Sequence, residues 1–200
     1  MASAVRQKWD RASGFYDRMV RADDARFGDA KASLFRRMRG RCLMMAAGTG
    51  HDFLHFPPGL RVVAIDISGA MLARARGPAS AYPGALGLVQ ADAQALPFAD
   101  RSFDCAVTSC TLCSVPDPVQ GLREIRRVLR PEAPLLLFEH VRSRLAPVAL
   151  TQDLLTPLSR RFGPDMNRDT VGNVQRAGFR VLREANIYLD IVKALEAVPA

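Results

Sequence analysis

Four places in this chain carry groups able to do chemistry. In the first, an apolar run from Cys42 to Ala47 breaks into Gly48-Thr49-Gly50. Glycines let the backbone turn tightly and approach a ligand, and the free N–H groups of a following helix can face an anion. The second is Asp66, the acidic end of the apolar run starting at Val62, placed to accept hydrogen bonds from ribose hydroxyls. The third is His140, just past the apolar run 135–139. It is a candidate general base or acceptor-orienting group, the alternative being that Glu139 and His140 cap a helix or pair with arginines. The fourth is Asn167-Arg168-Asp169, either a helix cap with a packing arginine or a clamp for an anionic head group.

Two more patterns have metal-ligand spacing. Cys110-x-x-Cys113 lies in an apolar stretch without a matching second pair and is read as structural thiols lining a substrate pocket. His51-x-x-x-His55 lacks the glutamate of a zinc-protease helix and an obvious third ligand, so both histidines are read as surface or pocket-wall groups. No metal is expected.

The elements that must position these groups alternate strand and helix. Strands are predicted at 42–47, 61–66, 86–90, 103–109 and 135–139, and helices near 50–56, at 69–76 behind a Ser68 cap, and at 118–129. Repeated βα units imply a Rossmann-like, mostly parallel twisted sheet with helices on both faces, an α/β fold. Residues 3–39 read as two helices joined near Ala22-Asp23-Asp24, the first carrying Trp9, Phe15, Tyr16 and Met19, the second Phe27, Ala30, Leu34, Phe35 and Met38 at helical spacing. A lid, a membrane-surface helix and simple packing all suit this extension. After the fifth strand the pattern predicts a helix over 145–161 broken at Phe162-Gly163-Pro164, then a helix from Asp169, or Asn167, to about Ala177, stopped by Gly178. Strands at 179–185 and 187–192 close an antiparallel hairpin. One domain spans 1–200: an extension (1–40), a core around the glycine turn (41–144) and an acceptor-side part (145–200).

Composition sets limits. Hydrophobic residues make up 48% and charged residues 24%, as in an ordinary globular protein. No window approaches the roughly 18 apolar residues of a membrane span, and the first residues lack a signal-peptide core, so the expected location is cytoplasmic. The formal charge of +8 gathers in arginines at 36–41, 123–130, 142–144 and 160–161. It suits either a solvated face or an anionic partner, including peripheral contact with the inner membrane face. Nucleic acid is not expected, because no recognition motif accompanies the charge.

Six segments in order, AAGTG (46–50), VVAIDIS (62–68), QADAQALPF (90–98), SFDCAVTSCTLCSVPDP (102–118), LREIRRVLRP (122–131) and LLLFEHVRS (135–143), resemble class I S-adenosylmethionine-dependent methyltransferases. The nearest likeness is to the ubiquinone/menaquinone methyltransferase-like branch, which includes phosphatidylethanolamine N-methyltransferases and alkyl-thiol S-methyltransferases. The resemblance implies S-adenosylmethionine as cofactor, with S-adenosylhomocysteine as product. It implies that Ala46, Gly48, Thr49 and Gly50 line the methionine part, that Asp66 and Ile67 flank the ribose, and that Met71 packs near adenine. Asp92 would bond the adenine amino group, Ala93 would offer its N–H, Ser109 would lie beneath the sulfonium, and Tyr16 would close over the cofactor. Two departures stand out: Met44 replaces the usual strand-one carboxylate, and Ala46 the usual first glycine.

The implied activity is methyl transfer to a small hydrophobic or amphipathic acceptor, with a phospholipid amine or a thiol favoured over a quinol carbon. A nicotinamide-dependent oxidoreductase and a cofactor-binding module without turnover are the competing classes. Monomer and homodimer are both compatible with the sequence.

Overall fold

The computed structural model describes residues 2–162 and 164–200, leaving aside the side chains of residues 2, 3, 18, 19, 161 and 162. The expectations for Met19 and for the break at Phe162-Gly163 therefore lie outside the described residues.

A seven-stranded sheet runs in the order β3-β2-β1-β4-β5-β7-β6. Its strands are β1 (Arg41–Met45), β2 (Arg61–Asp66), β3 (Ala85–Gln90), β4 (Cys105–Ser109), β5 (Leu135–His140), β6 (Phe179–Tyr188) and β7 (Val192–Pro199). The first five pair in parallel, and β7 joins β5 and β6 antiparallel. Around the strands pack α1 (Ala2–Phe35), α2 (Gly69–Ala81), α3 (Pro118–Val128), α4 (Ala146–Phe162) and α5 (Thr170–Arg176).

Alternation along β1 explains why both sheet faces are covered, as parallel strands require. Leu43 and Met45 pack with Leu122, Ile125 and Val128 of α3 and Val174 of α5. Cys42 and Met44 pack on the opposite face with Phe27, Leu34 and Phe35 of α1 and Leu72 and Ala75 of α2. The β-order reverses between β1 and β4, so ligand-facing groups collect beyond the carboxyl ends of β1, β2, β4 and β5.

The structure corrects several boundaries. The N-terminal segment is one continuous helix, because Asp23 and Asp24 do not cap a second helix. They turn inward, Asp23 to Lys31 at 2.8 Å and Asp24 to His55 at 2.5 Å. Residues 51–55 form a 3₁₀ turn rather than an α-helix, and α2 continues through Gly77 and Pro78 to Ala81. Phe103 contributes only an isolated bridge to Leu129 before β4 begins at Cys105. The closing hairpin turns at Leu189 and Asp190, both at positive φ, so its second strand is Val192–Pro199 and not 187–192. Lys193 hides that strand: it is buried, held by Glu184 at 2.5 Å and Asp190 at 2.8 Å. Of the two candidate caps before α5, Asp169 is the one used, accepting from Gly172 N at 3.0 Å, while Asn167 donates to Asp153.

No helix among the described residues is long and apolar enough to cross a membrane.

Lys31 of α1 is buried, at 2% exposure, between Asp23 and Asp52. Burial opposes its charge, yet Asp52 and Asp23 raise its pKa above the ordinary lysine value. Lys31→Met leaves two carboxylates facing each other under α1 and should cost about 3 kcal/mol in chemical denaturation. Adding Asp23→Asn and Asp52→Asn should recover part of that loss; an unchanged midpoint for the single variant would contradict this packing.

Candidate functional site

The turn after β1 holds its shape through left-handed residues: Ala46 at φ 58, Gly48 at φ 55 and Gly50 at φ 81. Alanine tolerates this region at a cost of about 1 kcal/mol, so the substituted first position keeps the turn. A Cβ on Gly50 would stand 2.8 Å from the Phe53 ring, and one on Gly48 would stand 3.3 Å from the Tyr16 ring. A side chain at position 48 would have to push the Tyr16 ring of α1 back by a few tenths of an ångström.

Asp66 ties the parts together. Its carboxylate is buried and accepts from Gly48 N at 2.8 Å and Ser68 N at 2.9 Å. Burial pushes its pKa above the usual carboxylate value, while the two amides pull it back. Ser68 caps α2 by accepting from Met71 N at 3.1 Å, and its hydroxyl donates to Asp10 of α1 at 2.5 Å. Asp10 also accepts from Ala70 N at 3.2 Å, and its pKa is lowered chiefly by the Ser68 hydroxyl. Asp17 and Arg74 make a second α1–α2 link at 2.5 Å. These contacts lay the first half of α1 across the ends of β1 and β2 as a roof.

Beneath that roof is a cleft whose empty space, its open mouth to solvent included, is about 730 Å³. Nine of the residues expected around the cofactor line it: Tyr16, Ala46, Gly48, Asp66, Ile67, Met71, Asp92, Ala93 and Ser109. Thr49 and Gly50 do not. Thr49 faces a separate depression beside Asp17 and Arg74, and Gly50 packs on Phe53 behind the turn. Val5 in the wall and Asp10 as the roof's fastening carried no mark in the sequence, and Gln94 was visible only as part of the 90–98 segment. Asp92 receives Gln94 N at 2.9 Å, an Asx-type turn that fixes its carboxylate at the rim.

The floor of the cleft is set by β4 and β5. Glu139 is fully buried and accepts from Thr111 N at 3.0 Å and Leu112 N at 3.1 Å. It thereby holds the backbone that follows Ser109 and Cys110, the latter at φ 50. The capping alternative considered for Glu139 is thus realised on a loop rather than a helix. Burial pushes its pKa up to about 7 against the pull of those amides. Ser109 Oγ is buried with no hydrogen-bond partner among the described residues. Cys110 lines the cleft; burial raises its pKa, and that of Cys113 to about 12, so both stay thiols.

His140 does not line the cleft. Its ring, with a pKa lowered by burial, lies within 4.8 Å of Cys110 Sγ and an Asp23 oxygen, one side chain behind the wall. The three groups could ligate a metal by distance, and so could Asp24, Asp52 and His55, but Lys31 already places a cation against Asp23 and Asp52. His51 and His55 both meet Asp24. Arg168 pairs with Asp165 and donates to Val115 O at 3.3 Å, a packing arginine at the cleft's edge.

The lining suits an S-adenosyl nucleoside. Two carboxylates able to accept from hydroxyl or amino donors, Asp66 and Asp92, line one cleft with apolar residues, and the unpaired Ser109 hydroxyl lies among them.

Residues 43–137 match the family described as methyltransferase domain. The ubiquinone/menaquinone biosynthesis C-methyltransferase UbiE of Hahella chejuensis is 42% identical over 103 residues, 48% of this chain and 41% of that protein. The human thiol S-methyltransferase TMT1B is 29% identical over 163 residues, 74% of this chain and 67% of that protein. The chain thus spans less than half the length of the UbiE relative. A Thermotoga maritima structure described as an S-adenosylmethionine-dependent methyltransferase, possible histamine N-methyltransferase, superposes with a TM-score of 0.72 at 18% identity, covering 97% of this chain and 99% of that one. That likeness concerns the fold.

An acid whose folded-state pKa stands above its unfolded value stabilises the fold while protonated. For Glu139 this stability is fully present below about pH 4.5 and is lost as pH rises through about 7. Chemical denaturation should show stability falling by more than about 1 kcal/mol from about pH 5 to about pH 8, and Glu139→Gln should flatten that slope. An identical slope in the variant would remove Glu139 as its source.

Proposed function

We propose that the protein methylates a small hydrophobic or amphipathic acceptor using S-adenosylmethionine, reading the match of residues 43–137 to a methyltransferase domain and the likeness to UbiE as membership of the ubiquinone/menaquinone methyltransferase-like branch. The observation that carries this reading is the single cleft in which Asp66, Asp92, Ser109 and the Gly48 turn converge under Tyr16. When bound, S-adenosylmethionine supplies an electrophilic methyl group and leaves as S-adenosylhomocysteine.

The chain's own contribution is positioning and exclusion of water, the effects that dominate where charge is lost on the way to the transition state. Asp66 and Ile67 would take the ribose edge, Asp92 and Ala93 the adenine edge with Met71 against the ring, and Ala46 and Gly48 the methionine part. Thr49 and Gly50 act from behind the turn. Tyr16, kept neutral by burial, closes the roof. Met44 leaves no carboxylate in β1, so the amino group must find backbone carbonyls, the Ser109 hydroxyl or water.

His140 is proposed as the base or acceptor-orienting group. Burial favours its neutral form, which can take a proton from an ammonium, thiol or phenol that reaches past Cys110. This reading places residues 1–40 as a lid, 41–144 as the cofactor-binding core and 145–200 as the acceptor side. The resemblance to thiol and phospholipid methyltransferases supports a thiol or phospholipid amine, with peripheral contact at an anionic membrane. The UbiE relatives, at the higher identity, support a quinol carbon as the second reading.

A radiolabelled-methyl screen across alkyl thiols, phosphatidylethanolamine and quinols tests the acceptor; transfer to none of them would sink the reading. Asp66→Ala and Asp92→Ala should each weaken S-adenosylmethionine binding by about 1–3 kcal/mol in calorimetry, and unchanged affinity would remove that residue from the cleft's contacts. His140→Gln should lower kcat with cofactor affinity intact, whereas normal turnover would exclude His140 from the chemistry.

A further inference from the structure

α4 has its polar side inward and its apolar side outward. Gln152 and Thr156 are buried. The Gln152 side chain bonds Val141 O at 2.9 Å, Met166 O at 2.8 Å and Ser143 N at 2.8 Å. On the opposite arc Leu150, Leu154 and Leu158 recur every fourth residue at 61%, 72% and 56% exposure, with Leu155 beside them at 45%. A single exposed leucine is ordinary; four on one side of a helix, with exposed Thr151 among them, mark an interaction site.

Cations stand at both ends of that patch. Arg142 and Arg144 precede the helix, Arg160 lies near its end, and in each of their ion pairs the acid, Asp153, Glu184 or Asp165, is the less exposed partner. Lys8 donates to Arg160 O at 2.7 Å, bringing the basic first turns of α1, with exposed Arg6 and Arg11, to the same end.

We propose that this arc of α4 seats the protein on an anionic bilayer surface, the leucines entering the boundary between head groups and acyl chains and the arginines meeting lipid phosphates. The inference rests on the amphipathic-acceptor reading for its use, and it assigns the contact to α4 rather than to α1. A second copy of the chain fits less well, since two α4 helices paired in either direction would bring arginine ends against arginine ends. The same segment borders the cleft: Asp165 N donates to Cys113 O at 2.8 Å, and Arg168 reaches the wall residue Val115. Seating α4 on lipid therefore brings the acceptor side of the cleft near the bilayer.

Flotation of the full chain with phosphatidylcholine vesicles, and with vesicles of phosphatidylcholine mixed with phosphatidylglycerol, tests the assignment. The protein should float with the anionic vesicles alone, less so at high salt. Leu154→Ser/Leu158→Ser, checked by circular dichroism to be folded, should bind them about tenfold more weakly or worse. No flotation, or equal flotation of the double variant, would overturn the proposal. So would a dimer in sedimentation velocity that the double variant dissolves, which would give the face to a second copy. Calorimetry with S-adenosylmethionine on the same two proteins keeps the readings apart, because failure of the methyltransferase reading appears there and leaves flotation untouched.

Discussion

Most of the site's geometry depends on one buried carboxylate. Asp66 accepts the N–H of Gly48 on one side and of Ser68 on the other, joining the glycine turn to the start of α2. Ser68 passes the link to Asp10, and so to the roof. A group desolvated to this degree persists only because its lone pairs are engaged, and those partners are the backbone atoms a nucleoside would approach. Without Asp66 the turn, the α2 cap and the seating of α1 would lose a common anchor.

A second buried carboxylate serves the other half of the sheet. Glu139 stands at the end of β5 and gathers the amides of Thr111 and Leu112, fixing the path of the chain past Ser109 and Cys110. The parallel order of the strands brings both acids to the same edge of the sheet. The two sites differ in cost. Asp66 meets amides at the rim of an open cleft, whereas Glu139 is wholly enclosed, which is why its pKa climbs to about 7. The cleft floor therefore stands on a group that titrates near neutrality.

The fold was legible because its signals are local. Continuous apolar runs marked the five parallel strands, and Ser68 and Asp169 announced helix starts that their side chains cap. What misled was charge with a distant purpose. Asp23 and Asp24 read as a helix break because their partners, Lys31 and the histidines of the 3₁₀ turn, are not visible from spacing alone. Lys193 concealed β7 for the same reason. Of the residues expected around the cofactor, nine line one cleft, since strand ends and the glycine turn dictate where they point. Thr49, Gly50 and His140 fall outside because direction within a turn, and the thickness of the Cys110 wall, are properties of packing. Asp10 was illegible: an aspartate in a helix of alternating charges carries no mark of the cap it serves.

The central claim is that this cleft binds an S-adenosyl nucleoside although β1 offers Met44 in place of a carboxylate. Calorimetric titration of the unaltered protein with S-adenosylmethionine and S-adenosylhomocysteine tests it most directly. Saturable binding of both ligands at one site per chain, in the micromolar range, is the predicted result. Absence of binding heat for either ligand, with the protein folded, would contradict the account.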